Sequence, residues 1–445
     1  MYENNILNSR LAAVGLKIPE ILLPAPGIDL QKWAVIACDQ FTQDRGYWEK
    51  VREITGTAPS ALDFIFPEVY LLNSDEKARE AKREEIKSAM ESSLKNGIFG
   101  KPGHYGVYIE RSAPGRCVRK GLVMAIDLEK YDWNPKEKSL IRATEGTVPE
   151  RIPPRMQIRQ TAALETTHVL LLIDDDEDKL ISGLGEIAKK NPPLYQTQLM
   201  LNSGAIIGWA CETGACCKTD ENCEARDAWE TFAKGLENLA AKAQGRYGVP
   251  CGVQEETPFL YAVGDGNHSL AAAKASWEEY KKIHAGEAGL ENHPRRYALV
   301  ELENLYDSGI NFEPIHRIVF GITPKALQKE LTKSTAFDIH PDKHNTNILR
   351  LIPRTDEIST VSLEPLLDNF LKQNAGSASI DYIHGEDELI RLAGNQSRPA
   401  VGILLPPIEK NGLFKTIAVN GPLPRKSFSM GESREKRFYL ECRKL

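Results

Sequence analysis

FLYAVGDGNHSLAAAKASWEEY, residues 259–280, changes period in its middle. Phe259 to Val263 is a short apolar run of the kind that forms a buried strand, and from about Ser269 to His284 the apolar spacing becomes helical. Gly264, Asp265, Gly266, Asn267 and His268 alone separate the two. A strand that turns on glycines straight into a helix is suited to hold an anion. The N–H groups of the first helical turn have no partner within the helix, and the helix dipole favours negative charge there. Gly264 and Gly266 let backbone and ligand approach closely. Asp265 is suited to hold Mg²⁺ or accept a proton, and Asn267, His268 and Ser269 can bond phosphate oxygens. The plainer alternative is a tight turn in which Asp265 or Ser269 caps the helix. The stretch contains neither the Gly-Lys-Ser/Thr of a P-loop nor the spaced glycines of a dinucleotide fingerprint.

Working outward, strands and helices alternate. Trp33 to Cys38, Tyr105 to Arg111, Gly121 to Leu128, His168 to Ile173 and Tyr297 to Leu305 read as strands. Tyr47 to Ile54, Ser74 to Asn96 and Glu224 to Tyr247 read as helices, the second with Ser74 as its N-cap. Leu140 to Leu164 begins like a strand and turns helical at Pro154, because proline is tolerated only in the first helical turn. Beyond Gly321 to Pro324, helices are expected near Lys325 to Leu331, Glu364 to Asn374 and Glu386 to Gly394. Strands are expected there at Ala400 to Leu405 and Phe414 to Val419. The fold class is therefore α+β, a mixed sheet with flanking helices. Residues 1–320 form a main region and residues 321–445 a smaller one.

The 445 residues are ample for several cores, and 41% apolar with 27% charged is the balance of a soluble globular protein. With 56 basic against 62 acidic residues the formal charge is −6, which disfavours a long polyanion as partner and leaves nucleic acid an unlikely one. The N-terminal stretch has no apolar run like a signal peptide's, and no segment approaches the roughly 18 apolar residues of a membrane span. The eight cysteines are thinly spread, so the reading is a cytoplasmic protein with reduced thiols. Cys211, Cys216, Cys217 and Cys223 crowd one stretch, but their gaps are not those of a zinc knuckle.

VGDGNHSLAAA resembles the D-G-H-H-R-x-x-A-A element of the bacterial family catalogued as domain of unknown function 1015. VIACDQFTQDRGYWEKV, IRATEGTVPERIPPR, HPRRYALVELENLYDSGINFEPIHR and LPRKSFSMGESREKRFYLECR extend that resemblance over nearly the whole chain. A more distant likeness is to the ParB and sulfiredoxin superfamily, and it marks residues 259–284 as the nucleotide-binding element. That superfamily includes free-serine kinases, CTP-binding partition proteins and a reductase that uses ATP. Where those proteins carry Arg after His, this chain has Ser269. The missing guanidinium removes a bidentate phosphate clamp, so arginines from elsewhere have to supply it.

The loop IRATEGTVPERIPPRMQIR holds Arg142, Arg151, Arg155 and Arg159, with Glu145 and Glu150 among them. Glu145 matches an acidic position of the family's motif. It is suited to act as general base on a hydroxyl, or else forms an ion pair with Arg142 or Arg151. A second basic turn places Lys426 beside Ser427, suited to a phosphate or carboxylate or else a solvent-facing turn. Asp39 also sits where the family carries an Asp, while His168, His316 and Arg317 read as structural. The resemblance and the residues together imply a nucleotide-dependent phosphotransferase acting on a small hydroxyl metabolite, serine first. Gly264, Gly266, Asn267, His268, Ser269, Arg155, Lys426 and Ser427 would hold phosphates, with Arg142 and Arg151 neutralising charge, Glu145 as base, and Mg²⁺ on Asp265 with ATP or ADP. The alternatives are a non-catalytic nucleotide-responsive module and a phosphatase acting on a small phosphorylated metabolite. The expected partner is a small anionic or phosphorylated molecule, with neither membrane nor nucleic acid, in a chain open to homo-oligomer formation.

Overall fold

The computed structural model describes residues 2–71, 74–214, 223–247, 257–394 and 399–445. Two sheets organise it. The larger has nine strands: β1 Leu16–Lys17, β2 Gly106–Ser112, β3 Arg119–Asp127, β4 Ile141–Ala143, β5 Val169–Ile173, β6 Tyr195–Gln198, β7 Ala205–Cys211, β8 Tyr261–Asp265 and β9 Tyr297–Asn304. Their order is β6-β7-β2-β3-β9-β5-β8-β4, with β1 paired to β3. The sheet is mixed: β9–β5 and β8–β4 run parallel, and β8–β5 antiparallel. The smaller sheet contains β10 Phe312–Phe320, β11 Phe337–Pro341, β12 Ile348–Pro353, β13 Ser379–His384, β14 Ala400–Leu404 and β15 Phe428–Met430. Its order is β11-β12-β14-β10-β13, with β15 on β10. The architecture is α+β, a mixed sheet flanked by helices.

Side chains alternate across a strand, so the large sheet buries both faces. Leu122, Met124 and Ile126 pack with Trp229, Leu270 and Trp277 on one side. Val107, Ile109 and Val123 pack with Trp33, Trp48 and Phe64 on the other. Fully burying side chains of this size stabilises by about 1.5–3 kcal/mol each. Two helices set the site: α1 Ile152–Thr161, with Pro153 and Pro154 in its opening turn, and α2 Asn267–Ile283, which packs Leu270, Ala273 and Trp277 under the sheet.

Some expected elements differ. Asp29 caps a one-turn helix, Leu30–Trp33, which shortens the expected strand to Val35–Ile36. The long helix runs Glu76–Lys95 and is capped by Asp75, while Ser74 donates to the Tyr70 carbonyl. The segment expected as a strand at Phe414 to Val419 is a helix, Leu413–Asn420. Its buried residues Leu413, Phe414, Ile417 and Ala418 recur at helical spacing. Cys216 and Cys217 lie outside the described residues, and Cys211 and Cys223 are buried.

The last residues leave the smaller sheet and form two separate two-stranded ladders with earlier segments of the chain. Phe438–Tyr439 pairs with Val35–Ile36, and Cys442–Lys444 pairs with Leu164–Thr166. Among the described residues no helix is long and apolar enough to cross a membrane.

Candidate functional site

The turn between β8 and α2 is shaped by a bulge. Val263 faces Leu171 and Asp265 faces Leu170, so Gly264 has no counterpart on β5. An extra residue of this kind re-aims the side chain that follows it, here Asp265. A Cβ on Gly264 would stand 2.5 Å from Sδ of Met430 on β15 and 3.1 Å from Cγ of Leu172, so a side chain there would have to push these aside. Gly266 has φ of +83° and forms the N-cap of α2. A Cβ there would meet Cδ2 of His168 at 3.1 Å and Cα of Val169 at 3.2 Å. Neither Asp265 nor Ser269 caps the helix: Asp265 Oδ1 accepts the N–H of Gly266, 3.0 Å away, before the helix begins. Among the described residues nothing accepts the N–H groups of Asn267, His268 and Ser269. Oδ1 of Asn267 and Oγ1 of Thr147 are likewise buried without a partner among the described residues.

Four charged groups from four segments meet beside this helix start. Asp39 Oδ2 lies 3.5 Å from His168 Nε2, and Asp265 Oδ2 lies 3.1 Å from Lys436 Nζ. Burial works against the charge on His168, but the Asp39 carboxylate outweighs it, with help from Asp265, and holds the pKa above 6.5. Burial would raise the pKa of Asp39, yet His168, the amide of Gln40 and Lys436 hold it well below the usual carboxylate range. His168 Nδ1 is 2.5 Å from the Tyr439 hydroxyl, whose oxygen accepts the N–H of Cys38 at 2.9 Å. The ring is therefore fixed at both nitrogens.

The arginine loop closes over the same place. The N–H of Val148 donates to His268 Nε2 at 3.1 Å, which puts the proton of the neutral ring on Nδ1. Burial, then the positive charges of Arg155, Arg151 and Arg425, push the His268 pKa down to about 4. At neutral pH His268 is thus an uncharged donor surrounded by cations. Glu145, three residues before Val148, accepts the N–H groups of Lys426 and Ser427 at 3.3 and 3.2 Å. Lys426 adopts φ of +61° to present them. Burial raises the Glu145 pKa, and the nearby Asp265 charge adds to this, against the two N–H bonds that lower it. Glu145 therefore pairs with the basic turn's backbone, where sequence offered Arg142 or Arg151 as its partner.

The expected residues separate into two groups. Around the start of α2, Asp265 and Lys426 act electrostatically on Glu145, and Arg151 and Arg155 act on His268. Arg155 is also ion-paired to Glu68 and donates to the Arg151 carbonyl at 2.8 Å. Arg142 is elsewhere: its guanidinium lies 4.8 Å over the Phe259 ring, and Nε donates to the Ser139 carbonyl at 3.0 Å. The Ser427 side chain turns away from the site and bonds Thr360 and the Pro424 carbonyl. His316 is buried in the smaller sheet, where it accepts the Leu405 N–H, and Arg317 pairs with Glu364. Sequence reasoning passed over Lys436 and Tyr439, and read His168 as structural. The one signal was that Lys436 and Tyr439 fall within LPRKSFSMGESREKRFYLECR, a segment that carries the family resemblance.

The residues fit phosphate groups: uncommitted helix N–H groups, a fixed imidazole donor and several cations. They do not fit Mg²⁺ on Asp265 as they stand. One Asp265 oxygen is taken by the Gly266 N–H and the other by Lys436. Among the described residues no group of three or more His, Cys, Asp and Glu can hold a metal ion.

No curated protein matches this chain. Among solved structures it is similar to free serine kinase in complex with AMP, at 10% identity and TM-score 0.35, over 74% of this chain and 93% of that one. A mutant of free serine kinase in complex with ADP is similar at 11% identity and TM-score 0.35, over 74% and 93%. A conserved hypothetical protein from Pyrococcus furiosus is similar at 10% identity and TM-score 0.30, over 72% and 90%. The match to a protein family is broader in kind. Residues 22–386, which take in Asp39, Glu145, His168 and the whole β8–α2 turn, match the family described as Protein of unknown function (DUF1015), and the chain belongs to that family.

Proposed function

We propose that this protein transfers a phosphoryl group from an adenine nucleotide to a small hydroxyl metabolite, of which serine is the first to try. The observation that carries the reading is that one loop, residues 144–148, presents Glu145 and also bonds His268 at the start of α2. A base and an anion-binding helix start are thereby held together. Phosphoryl transfer asks a protein mainly for positioning and for charge, and both are present.

In this reading the N–H groups of Asn267, His268 and Ser269 receive phosphate oxygens, and His268 Nδ1–H adds a neutral donor. Arg151 and Arg425 offset the phosphate charge, with Arg155, paired to Glu68, beside them. The substrate hydroxyl gives its proton to Glu145, its oxygen forms a new bond to phosphorus, and the bond from phosphorus to the departing nucleotide breaks. A carboxyl with a raised pKa is suited to take that proton.

Two measurements test this. Millimolar ATP or ADP should raise the melting temperature, since a ligand that binds only the folded state stabilises it. Incubation with ATP and a mixture of small alcohols and hydroxy amino acids should yield a phosphorylated product. If ATP, ADP and CTP all leave the melting temperature unchanged, the reading fails. A second reading, nucleotide binding without turnover, is favoured by the commitment of Arg155 to Glu68. A melting shift with no phosphorylated product would select it.

A further inference from the structure

We infer that Lys436 is the resident cation of this site, and that phosphates bind there on protein charges without a divalent metal. The inference rests on the phosphate reading above and adds the source of the positive charge.

Lys436 already occupies the carboxylate that a metal would use. Its ammonium is 3.1 Å from Asp265 Oδ2, and it also acts on Asp39, the other carboxylate nearby. A magnesium ion on these two acids would meet a like charge that is already in place. That charge is not free to swing aside, because the lysine side chain is only 8% exposed. The backbone on both sides of it is held from below. Arg111 donates to the Arg434 carbonyl and Arg119 to the Glu435 carbonyl, each at 2.9 Å. The next residue, Arg437, is buried and pairs with Glu301 at 3.0 Å and with Glu441. Three positions on, Tyr439 is held by His168. A buried ammonium left without its partner is costly, so displacing Lys436 from the half-buried Asp265 is unfavourable.

The charges near the helix start sum to an excess of positive without any metal. Asp39 and Asp265 are answered by His168 and Lys436, and Glu145 by the nearby Lys426, while Glu68 answers Arg155. Arg151 and Arg425 remain to face an anion beside His268. Lysine binds phosphate as a compact point charge, the role a small cation would otherwise fill.

The test is calorimetric titration of the full chain with ADP and with inorganic pyrophosphate, in EDTA and in Mg²⁺. The wild type should bind in EDTA within about threefold of its affinity in Mg²⁺. Lys436→Gln should lose about tenfold or more in EDTA, the size expected for one hydrogen bond to a charged group. Lys436→Arg, which keeps the charge, should retain most of the affinity. Circular dichroism checks that the Gln variant folds; if it does not, the wild-type comparison in EDTA decides alone. Wild-type binding that requires Mg²⁺ overturns the inference and leaves the phosphate reading standing, as does a folded Gln variant that binds in EDTA as tightly as wild type. No binding in either buffer overturns the phosphate reading and the inference with it.

Discussion

Asp39 and His168 face each other at 3.5 Å, and their shifts oppose in sign, which sets a pH window. The His168 pKa is raised above 6.5, so its contribution to stability is complete below 6.5 and is lost as pH rises through the higher folded value. The Asp39 pKa is lowered below 3.8, so its contribution is complete above 3.8 and is lost as pH falls through the lower folded value. The stability gap between wild type and His168→Asn should therefore be widest between about pH 4 and 6.5 and should narrow above that. Urea titrations at several pH values measure it, and a gap that widens toward pH 9 would refute the pairing. Glu145 follows a separate rule. Glu145→Gln keeps the shape and removes the base, so turnover should fall by about 10²–10⁴. ADP affinity should stay within about threefold, because the carboxylate bonds the turn of Lys426 and Ser427 rather than the helix start. An equal loss of both would make Glu145 a structural clasp. Of these residues Glu145 and His268 were legible in sequence, because each lies in or beside a glycine-bearing turn. Asp39 was marked only by the family resemblance and His168 was read as structural, since their meaning depends on a partner far along the chain.

The start of α2 shows what an element needs from its sequence. The switch from apolar run to helical period was visible, and so was the need for glycine between them. The bulge was not, because it depends on which residues of β5 stand opposite. The two glycines should respond differently to alanine. At Gly266 the left-handed backbone and the Cα of Val169 at 3.2 Å both oppose a side chain, so Gly266→Ala should destabilise by about 1–3 kcal/mol. At Gly264 the obstacle is the Met430 side chain at 2.5 Å. Met430→Ala should therefore recover part of the loss caused by Gly264→Ala and none of that caused by Gly266→Ala. Denaturant midpoints of the two double variants measure this; equal rescue of both glycines would contradict the assigned contacts. The helix at Leu413–Asn420 makes the converse point. Over so short an apolar segment two periods fit almost equally well, and only packing against Phe259 and Met430 decides between them.

At the scale of the whole molecule, the final residues act as a strap that ties the smaller sheet to the segments at 35–36 and 164–166. β15 pairs with β10 in the smaller sheet, and Phe438–Tyr439 and Cys442–Lys444 then add to strands at 35–36 and 164–166. Composition could not reveal this, because a basic, mixed segment such as SREKRFYLECR reads as surface until its acidic partners are known. Those partners are inside. Arg437 answers Glu301 and Glu441, and Arg443 joins Arg159 on Glu165, all of them buried or nearly so. A chain cut at residue 320 keeps Glu301 and Glu165 but loses Arg437 and Arg443. Removing one partner of a buried ion pair costs about 3–5 kcal/mol, and uncovering the surface under Phe438, Tyr439 and Leu440 costs about 1.5–3 kcal/mol for each side chain. Total stability is typically about 5–15 kcal/mol, so these losses together are enough to consume it. The fragment 1–320 is therefore expected to lack a cooperative thermal transition that the full chain shows, and to lose ADP binding along with Lys436. Calorimetry of the two chains side by side decides the point: a cooperative transition in the fragment would mean that the main region folds without its strap.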